Sequence, residues 1–202
     1  MTAFFSRLRQ YNLKLSPSKA RIGATQANFL GHTISPAGVS PDNEKVRALS
    51  QMPSPTNIKQ LRSLLGGLSY YRKFLPNLAV KLRPLNALLK QGVPFVYTDK
   101  MTALVKALLA TLSKSPTLVF PDWDAVADGS RPLRLCSDAC IDGFGACLEQ
   151  EQPDKSVKPI VYISRATIPS ERNWTALDLE AGGIIWALKR LRGYLWSTHF
   201  EI

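Results

Sequence analysis

The amino-acid sequence predicts an α+β fold: a small hairpin and a group of helices, then a three-stranded antiparallel meander and one long helix. Two patterns support this prediction. Apolar residues recur at helical spacing over residues 58–74. Short β-type runs at 133–138, 144–150 and 159–164 are separated by glycine and Pro-Asp turns.

Charge divides the chain into two unequal parts. Residues 1–95 carry fourteen lysines and arginines against two acids, whereas residues 96–202 carry twelve against thirteen. A nearly acid-free basic half indicates contact with a polyanion. A ribosomal or chromatin protein could show the same excess, so charge alone does not identify the partner.

Several protein classes are disfavoured by composition. The three cysteines lie within twelve residues of one another with no nearby histidine, which argues against a disulfide framework or a zinc site. No apolar run approaches the length of a membrane span, and the N-terminus has no secretory pattern. We therefore expect an intracellular protein of the cytoplasm or nucleus, without a membrane partner.

The elements of the first half follow from local signals. Residues 2–11 read as a short helix, residues 20–35 as a hairpin and residues 35–45 as a loop. Asp42 is a candidate N-cap for a helix that runs to about Met52. Thr56 or Asn57 is expected to cap the next helix.

The helix predicted at residues 58–74 has two distinct faces. Its apolar stripe consists of Leu61, Leu64, Leu65, Leu68 and Tyr71. The opposite side carries Lys59, Arg62, Gly66 and Lys73. A glycine here costs roughly 1 kcal/mol relative to alanine. It could bring the helix backbone close to a phosphate or sugar, or it could only allow tight helix packing, and both explanations stay open.

The remaining elements are predicted in order. Residues 77–90 form a second helix, residues 92–100 a connector and residues 101–112 a third helix. Asp122, Asp124 and Asp128 are interpreted as solvated loop acids. After the meander, Ser170 or Thr175 caps a long helix, and the last residues begin a further strand.

Two acids of the second half form a candidate metal pair. Asp138 interrupts an apolar strand, and Glu180 lies on the long helix, roughly 60° from Leu177 on the predicted apolar stripe. That stripe consists of Leu177, Ala181, Ile184, Leu188, Leu191 and Leu195. Two facing carboxylates would need a cation such as Mg²⁺ between them. The alternative for Glu180 alone is a half-exposed helix acid.

The motifs of the first half match a known family. Phe29-Leu-Gly-His32, the Pro55-Thr56-Asn57 lead into the helix, Leu65-Gly66 and Tyr70-Tyr-Arg72-x-Phe74 resemble the segment after the polymerase active site in reverse transcriptases of gypsy-type long-terminal-repeat retrotransposons. In the second half, "LCSDACIDGFGACLEQ", "YISRATIPSERNW" and "DLEAGGIIWALKRLRGYL" resemble the ribonuclease H domain of the same polyprotein.

This resemblance implies a domain order. Residues 1–45 would be the end of the palm, 46–95 the thumb, 96–128 a connector and 129–202 a truncated ribonuclease H-like domain. It also implies nucleic-acid binding, with a primer-template duplex or RNA–DNA hybrid and the remainder of the polyprotein as partners. The implied binding residues are Phe29, Leu30, Gly31, His32, Lys59, Arg62, Gly66, Arg72 and Lys73.

Asp138 and Glu180 match the first two carboxylates of the family's nuclease site. The resemblance implies that they are catalytic and ligate Mg²⁺ or Mn²⁺, which in the family activates a water and stabilises the leaving oxygen. We expect no tight metal binding by these two residues alone.

Departures from the family pattern predict a fragment. The chain has no Asp-Asp pair, and it stops at Ile202 before the family's Thr-Asp-His. Trp174 replaces the usual tyrosine, and Gly182-Gly183 weakens the helix beyond Glu180. We therefore expect no polymerase activity and very weak or absent nuclease activity, with nucleic-acid binding as the main property.

Two other hypotheses stay open. A partner chain could supply the missing carboxylates and restore a hydrolase. Alternatively, the chain is a domesticated or decayed remnant, a non-enzymatic nucleic-acid or protein interaction module that associates through its open sheet edge.

Overall fold

The computed structural model of the protein describes residues 2–114 and 117–202; Met1 and two residues of the predicted connector, Ser115 and Pro116, lie outside the described residues. The helices are α1 (Thr2–Gln10), α2 (Asn43–Ser50), α3 (Ile58–Tyr70), α4 (Leu78–Lys81), α5 (Arg83–Ala87), α6 (Asp99–Ser113), α7 (Trp123–Ala127), α8 (Ala176–Arg190) and α9 (Arg192–Leu195). The strands are β1 (Ala27–Phe29), β2 (His32–Ser35), β3 (Gly38–Pro41), β4 (Leu133–Cys140), β5 (Gly143–Glu151), β6 (Val157–Ala166) and β7 (Phe200–Glu201). Within the described ranges, no helix is both long enough and apolar enough to cross a membrane.

The predicted hairpin is confirmed, and a third strand extends it. β1 and β2 pair antiparallel, with Asn28 opposite Thr33. The expectation of a loop throughout 35–45 is wrong, because Gly38–Pro41 pairs with β2 as strand β3. Val39 also exchanges two backbone hydrogen bonds of 2.8 Å with Leu118. The sequence did not indicate this strand because its end residues, Gly38 and Pro41, are of types that strands disfavour.

The predicted helix caps of the first half are confirmed. Asp42 accepts a hydrogen bond from the backbone N–H of Glu44, and Asn57 accepts one of 3.0 Å from Gln60. These side chains satisfy N–H groups that have no partner inside the helix. The predicted stripe of α3 is also confirmed, since its members are buried: Leu61, Leu64, Leu65, Leu68 and Tyr71.

The prediction of one continuous helix over 77–90 is wrong. The segment divides into α4 and α5, with Leu82 between them. Pro84 explains the division, because proline has no N–H to donate and its ring clashes with the carbonyl four residues earlier. The leucines of both pieces still enter the helical core: Leu78, Leu82, Leu85 and Leu88.

The region around the three loop acids is more ordered than predicted. Residues 123–127 form α7, and Asp122 caps it by accepting a hydrogen bond from Ala125 N–H. Asp122 also pairs with Arg131 at 2.5 Å. The fully buried Gln150 donates to the carbonyl oxygens of Asp122 and Arg131. These contacts place α7 against the second sheet.

The second sheet has the strand order β6-β5-β4-β7. The predicted antiparallel meander β4-β5-β6 is confirmed, and β7 adds a parallel strand beside β4. Helix α8 covers one face, where a Cβ added to Gly183 would lie 3.1 Å from Ala139 Cβ. Ala139 pairs with Phe144, so that pair faces α8. The alternate residues of the strands face the other side.

Helix α8 begins as predicted but buries a different face. Thr175 and Asp178 form a reciprocal capping box. The first part of the predicted stripe is wrong, because Leu177 is 79% exposed and Ala181 is also exposed. Its last two members, Leu191 and Leu195, are buried, but they follow the end of α8. The buried residues of α8 itself are Leu179, Gly183 and Ala187. Small residues let the helix approach the strands closely, so its large apolar side chains do not mark the buried face.

The two adjacent glycines of α3 allow a matched test of stability. A Cβ at Gly66 would meet no atom within 4 Å, whereas one at Gly67 would collide with the side chain of Leu49. We expect Gly66→Ala to raise the free energy of unfolding by about 1 kcal/mol through helix propensity. Gly67→Ala should give a smaller gain or a loss, as measured by urea denaturation. An equal gain in both variants would contradict this packing.

Candidate nucleic-acid interface and carboxylate site

The basic face of α3 is open to solvent. Lys59, Arg62 and Gly66 are all exposed, on the side away from the buried leucines. The free space around Gly66 answers the question left open by the sequence, because packing requires the neighbouring Gly67 and not Gly66. A ligand can therefore reach the helix backbone at Gly66 on the face that also carries Lys59 and Arg62.

The other two predicted cations are partly engaged within the protein. The Nη2 of Arg72 donates to the carbonyl oxygen of Ser164 at 3.3 Å. The Nζ of Lys73 lies 5.2 Å from the centroid of the Phe74 ring. Burial lowers the pKa of Lys73. The structure thus separates the four predicted basic residues into two exposed ones on α3 and two held near the end of that helix.

The hairpin tip is a tight two-residue turn. Leu30 and Gly31 both have positive φ, at 46° and 69°. This conformation belongs to the turns that match the twist of a hairpin, and glycine adopts it without steric cost. The turn exposes 61% of Phe29 and 70% of Leu30. Two large apolar side chains therefore project into solvent beside α3.

Two tyrosines at the end of α3 hold this turn. The hydroxyl of Tyr70 donates to the carbonyl oxygen of Leu30. The hydroxyl of Tyr71 donates to the carbonyl oxygen of Gly31 at 2.9 Å. The sequence indicated Tyr70 only as part of a motif and Tyr71 also as part of the apolar stripe, and gave no signal for these hydrogen bonds. The turn and the basic helix are consequently joined by side-chain hydrogen bonds.

His32 lies inside the same aromatic group. Its Nδ1 is 2.8 Å from the carbonyl oxygen of Leu30, so Nδ1 carries the hydrogen. Its Nε2 is buried and finds no hydrogen-bond partner among residues 2–114 and 117–202. Burial and the nearby Lys73 charge lower the pKa of His32. The neutral ring is therefore the form that the fold favours.

Asp138 lies on the face of the sheet opposite α8. It pairs with Gly145, which in turn pairs with Ser164 on β6. The Nδ2 of Asn77, at the start of α4, donates to Oδ2 of Asp138 at 3.2 Å. A Cβ added to Gly145 would collide with the Asn77 amide oxygen. Asp138 therefore contacts the helices of the first half.

Glu180 does not share this face. It is exposed on α8, one turn before Gly183, and α8 packs against the Ala139 side of β4. In the described part of the chain, no group of three or more His, Cys, Asp or Glu side chains could hold a metal ion. The predicted pairing of Glu180 with Asp138 at a metal ion stays a prediction, with Asp138 on a strand and Glu180 on the helix that covers the other face of that strand. Mg²⁺ would complete its near-octahedral set with several waters.

Comparison with known protein families shows to which family this chain belongs. Residues 97–202 match the family described as the RNase H-like domain found in reverse transcriptase. The chain belongs to this RNase H-like family. The match includes the second sheet, α8 and both candidate carboxylates.

Curated relatives of this family member are retrotransposon polyproteins. The Pol polyprotein of transposon opus from Drosophila melanogaster is 34% identical over 95% of this chain, and that of transposon 297 is 35% identical over 98%. The Tf2-3 polyprotein of Schizosaccharomyces pombe is 32% identical over 95%. The chain spans only 19%, 18% and 14% of these three proteins, respectively.

Solved structures share the fold of the RNase H-like chain and of its helical first half. A foamy viral protease-reverse transcriptase dRH in complex with ds DNA matches 98% of this chain with a TM-score of 0.80. The foamy viral enzyme in complex with RNA/DNA hybrid matches 91% with a TM-score of 0.71. Both are 22% identical to this chain, which covers 34% and 24% of them. The mixed α and β architecture is confirmed by this likeness.

Removal of the two hydroxyls tests how the turn is held in this RNase H-like family member. We expect Tyr71→Phe to lower the free energy of unfolding by about 1 kcal/mol, because the carbonyl of Gly31 loses one of its two donors and keeps only the N–H of Asp42. Tyr70→Phe should cost less, since Tyr70 is 51% exposed and water can replace its hydroxyl. Urea denaturation measures both changes, with the exposed Tyr11→Phe as control. Equal stability of all four proteins would contradict the role of the hydroxyls.

The neutral state of His32 predicts that the free energy of unfolding of this protein depends on pH. Its pKa is lower in the folded chain than the ordinary value of 6.5, so the unfolded chain binds more protons in mildly acidic solution. We expect this part of the stability to be complete above about pH 6.5 and to be lost as the pH falls towards the folded pKa. Unfolding by urea across this range should show a flatter profile for His32→Gln than for the control His199→Gln. Identical profiles would exclude this contribution.

Proposed function

We propose that this chain is a duplex-binding part of a retrotransposon reverse transcriptase–ribonuclease H polyprotein. In this proposal residues 1–45 end the palm, residues 46–95 are the thumb, residues 96–128 connect and residues 129–202 are the ribonuclease H-like domain. The gypsy-type assignment rests on the motifs quoted from the sequence. Retrotransposon polyproteins among the relatives agree with this assignment.

The exposed basic face of α3 is the observation that carries the proposal. Lys59 and Arg62 are exposed one and two turns before the open backbone at Gly66, on the same face of α3. Phosphates are bound by such side chains, and the close backbone approach adds contact with the duplex surface. Binding of this kind follows the shape and charge of a duplex and depends little on base sequence.

The hairpin tip adds a second contact beside the basic face. Phe29 and Leu30 are exposed, and the two tyrosine hydroxyls bond the turn carbonyls to the end of α3. In the proposed function, the tip grips one strand while α3 follows the phosphates, and the tyrosines keep the spacing between them. Arg72 and Lys73 extend the cationic surface beyond α3.

The parent polyprotein would carry out RNA-directed DNA synthesis and metal-dependent cleavage of RNA. Solved relatives of the same fold are complexes with ds DNA and with RNA/DNA hybrid, which is consistent with a primer-template or hybrid partner for this chain. Asp138 and Glu180 are the residues that would contribute to a Mg²⁺ or Mn²⁺ site. No metal ion and no substrate are bound to these two residues, so no cleavage step is derived through them.

Binding of a labelled RNA–DNA hybrid across a salt series tests the proposal. We expect log K to fall linearly with log salt, and Lys59→Gln and Arg62→Gln each to reduce the slope by up to about 1. The control Lys155→Gln removes the same charge from an 84% exposed side chain in the β5–β6 turn and should leave binding unchanged. Equal losses in all three variants would indicate a general charge effect and contradict a binding face on α3.

Gly66→Ala distinguishes the contribution of the α3 backbone to hybrid binding from any effect on the stability of the free protein. The substitution should stabilise the free protein while weakening hybrid binding, because the methyl group keeps the duplex away from the helix backbone.

A parallel cleavage assay with Mg²⁺ or Mn²⁺ compares the chain with Asp138→Asn and Glu180→Gln. Cleavage that disappears in both variants would show that the nuclease site is completed, and our expectation of an inactive site would then be wrong.

A further inference from the structure

A cationic cleft lies where the first half of the chain meets the edge of the second sheet. Strand β6 forms one edge of this sheet, whose order is β6-β5-β4-β7. A 3₁₀ turn that follows α3, Arg72–Phe74, packs on β6 from one side. The end of α8 approaches the same strand from the other side, and the cleft between them has a volume of about 170 Å³. We call it the β6 cleft.

Three cationic side chains line the β6 cleft, and none of the described residues that line it is acidic. Arg72 and Lys73 come from the 3₁₀ turn, and Arg190 is the last residue of α8. Residues 161–164 of β6 and the ring of Trp186 lie between them. The side chains come from parts of the chain far apart in sequence, so the sequence gave no signal for this site. Such a concentration of positive charge fits an anion.

The free edge of β6 adds a backbone donor to the cleft. The Nη2 of Arg72 donates to the carbonyl oxygen of Ser164, so this carbonyl points away from β5. In an antiparallel ladder, the backbone groups of alternate residues point to the same side of the strand. The N–H of Tyr162 therefore also points away from β5 and into the cleft. Hydrogen bonds from a backbone N–H to an anionic oxygen are stronger than those between neutral groups.

The three cations keep the capacity to bind a ligand. The side chain of Arg190 is exposed. Arg72 uses one N–H for Ser164, and a guanidinium group has four more. Burial lowers the pKa of Lys73, which means that its ammonium group has lost part of its contact with water. A bound anion would compensate for that loss.

The β6 cleft lies at the far end of the basic face of α3. The helix begins beside the exposed Lys59 and ends at the turn that carries Arg72 and Lys73. The 13 residues of α3 span about 20 Å, which corresponds to about six base pairs of a duplex. A strand that follows the helix over this distance reaches the cleft.

We propose that the β6 cleft binds a phosphate of the nucleic-acid strand that follows α3, with Arg190 as the ligand from the ribonuclease H-like half. This inference rests on the proposed duplex binding and adds to it Arg190 and the N–H of Tyr162. The bound phosphate then bridges the two halves of the chain. Because the basic face of α3 leads to the cleft, a phosphodiester of a bound strand fits better than a free phosphate ion.

The amide signal of Tyr162 in nuclear magnetic resonance spectra reports whether the cleft is occupied. We expect an RNA–DNA hybrid of roughly 12 base pairs, about twice the length of α3, to shift this signal in the unchanged chain and in Lys189→Gln. The shift should be lost in Arg190→Gln and partly retained in Arg190→Lys. Lys189 is the matched control, because it is exposed, neighbours Arg190 and does not line the cleft. Equal shifts in Lys189→Gln and Arg190→Gln would overturn the proposal.

Hybrid binding across a salt series measures the same contact independently. Arg190→Gln should reduce the slope of log K against log salt by up to about 1, and Lys189→Gln should reduce it less. A reduced slope in Lys59→Gln with no change in Arg190→Gln would overturn this inference and leave the proposed function standing. Equal losses in Lys59→Gln and in the control Lys155→Gln would contradict the proposed function, and this inference would fail with it.

Two other anions test the identity of the ligand. Inorganic phosphate and a peptide of eight or so glutamates replace the hybrid at the same concentration of negative charge. We expect each to shift the Tyr162 amide signal less than the hybrid does. An equal or larger shift with inorganic phosphate would show a site for the free ion, and one with the peptide would show that the edge of β6 binds acidic segments. Either result would overturn the proposal.

Discussion

The burial of one leucine face of α3 is the constraint on which the rest of the arrangement depends. Leu61 and Leu68 are fully buried, and this fixes the rotation of the helix about its axis. The same rotation turns Lys59 and Arg62 to solvent and brings Tyr70 and Tyr71 against the hairpin turn. Burial of the leucines therefore determines both where the cationic surface of α3 lies and where the hairpin turn sits beside it.

Strand β4 of the second sheet contacts α8 on one face and the first half of the chain on the other. Ala139 faces α8, and Asp138, one residue earlier, faces the first half of the chain. Small residues make both approaches possible, since Gly183 brings α8 to one face and Gly145 admits Asn77 on the other. The carboxylate that the family resemblance associates with metal binding thereby becomes part of a contact between the two halves of the chain.

Local sequence signals account for much of the fold. The caps Asp42, Asn57 and Thr175 were recognisable because each side chain bonds an N–H within its own first turn. Errors arose where distant residues decide the outcome. Val39 of strand β3 bonds to Leu118 within the predicted connector, and α8 packs through glycine and alanine where leucine spacing indicated another face.

The sequence by itself determined the hairpin, the antiparallel meander, the apolar stripe of α3, the basic face opposite it and the candidate carboxylates Asp138 and Glu180. These features depend on residue type and on the fixed periods of helices and strands. Only the tertiary structure decided that Asp138 meets Asn77 while Glu180 lies on a helix across the sheet. The reason is physical: the face that a strand residue occupies is set by register and by which helix packs there, and both depend on contacts between residues far apart in the chain.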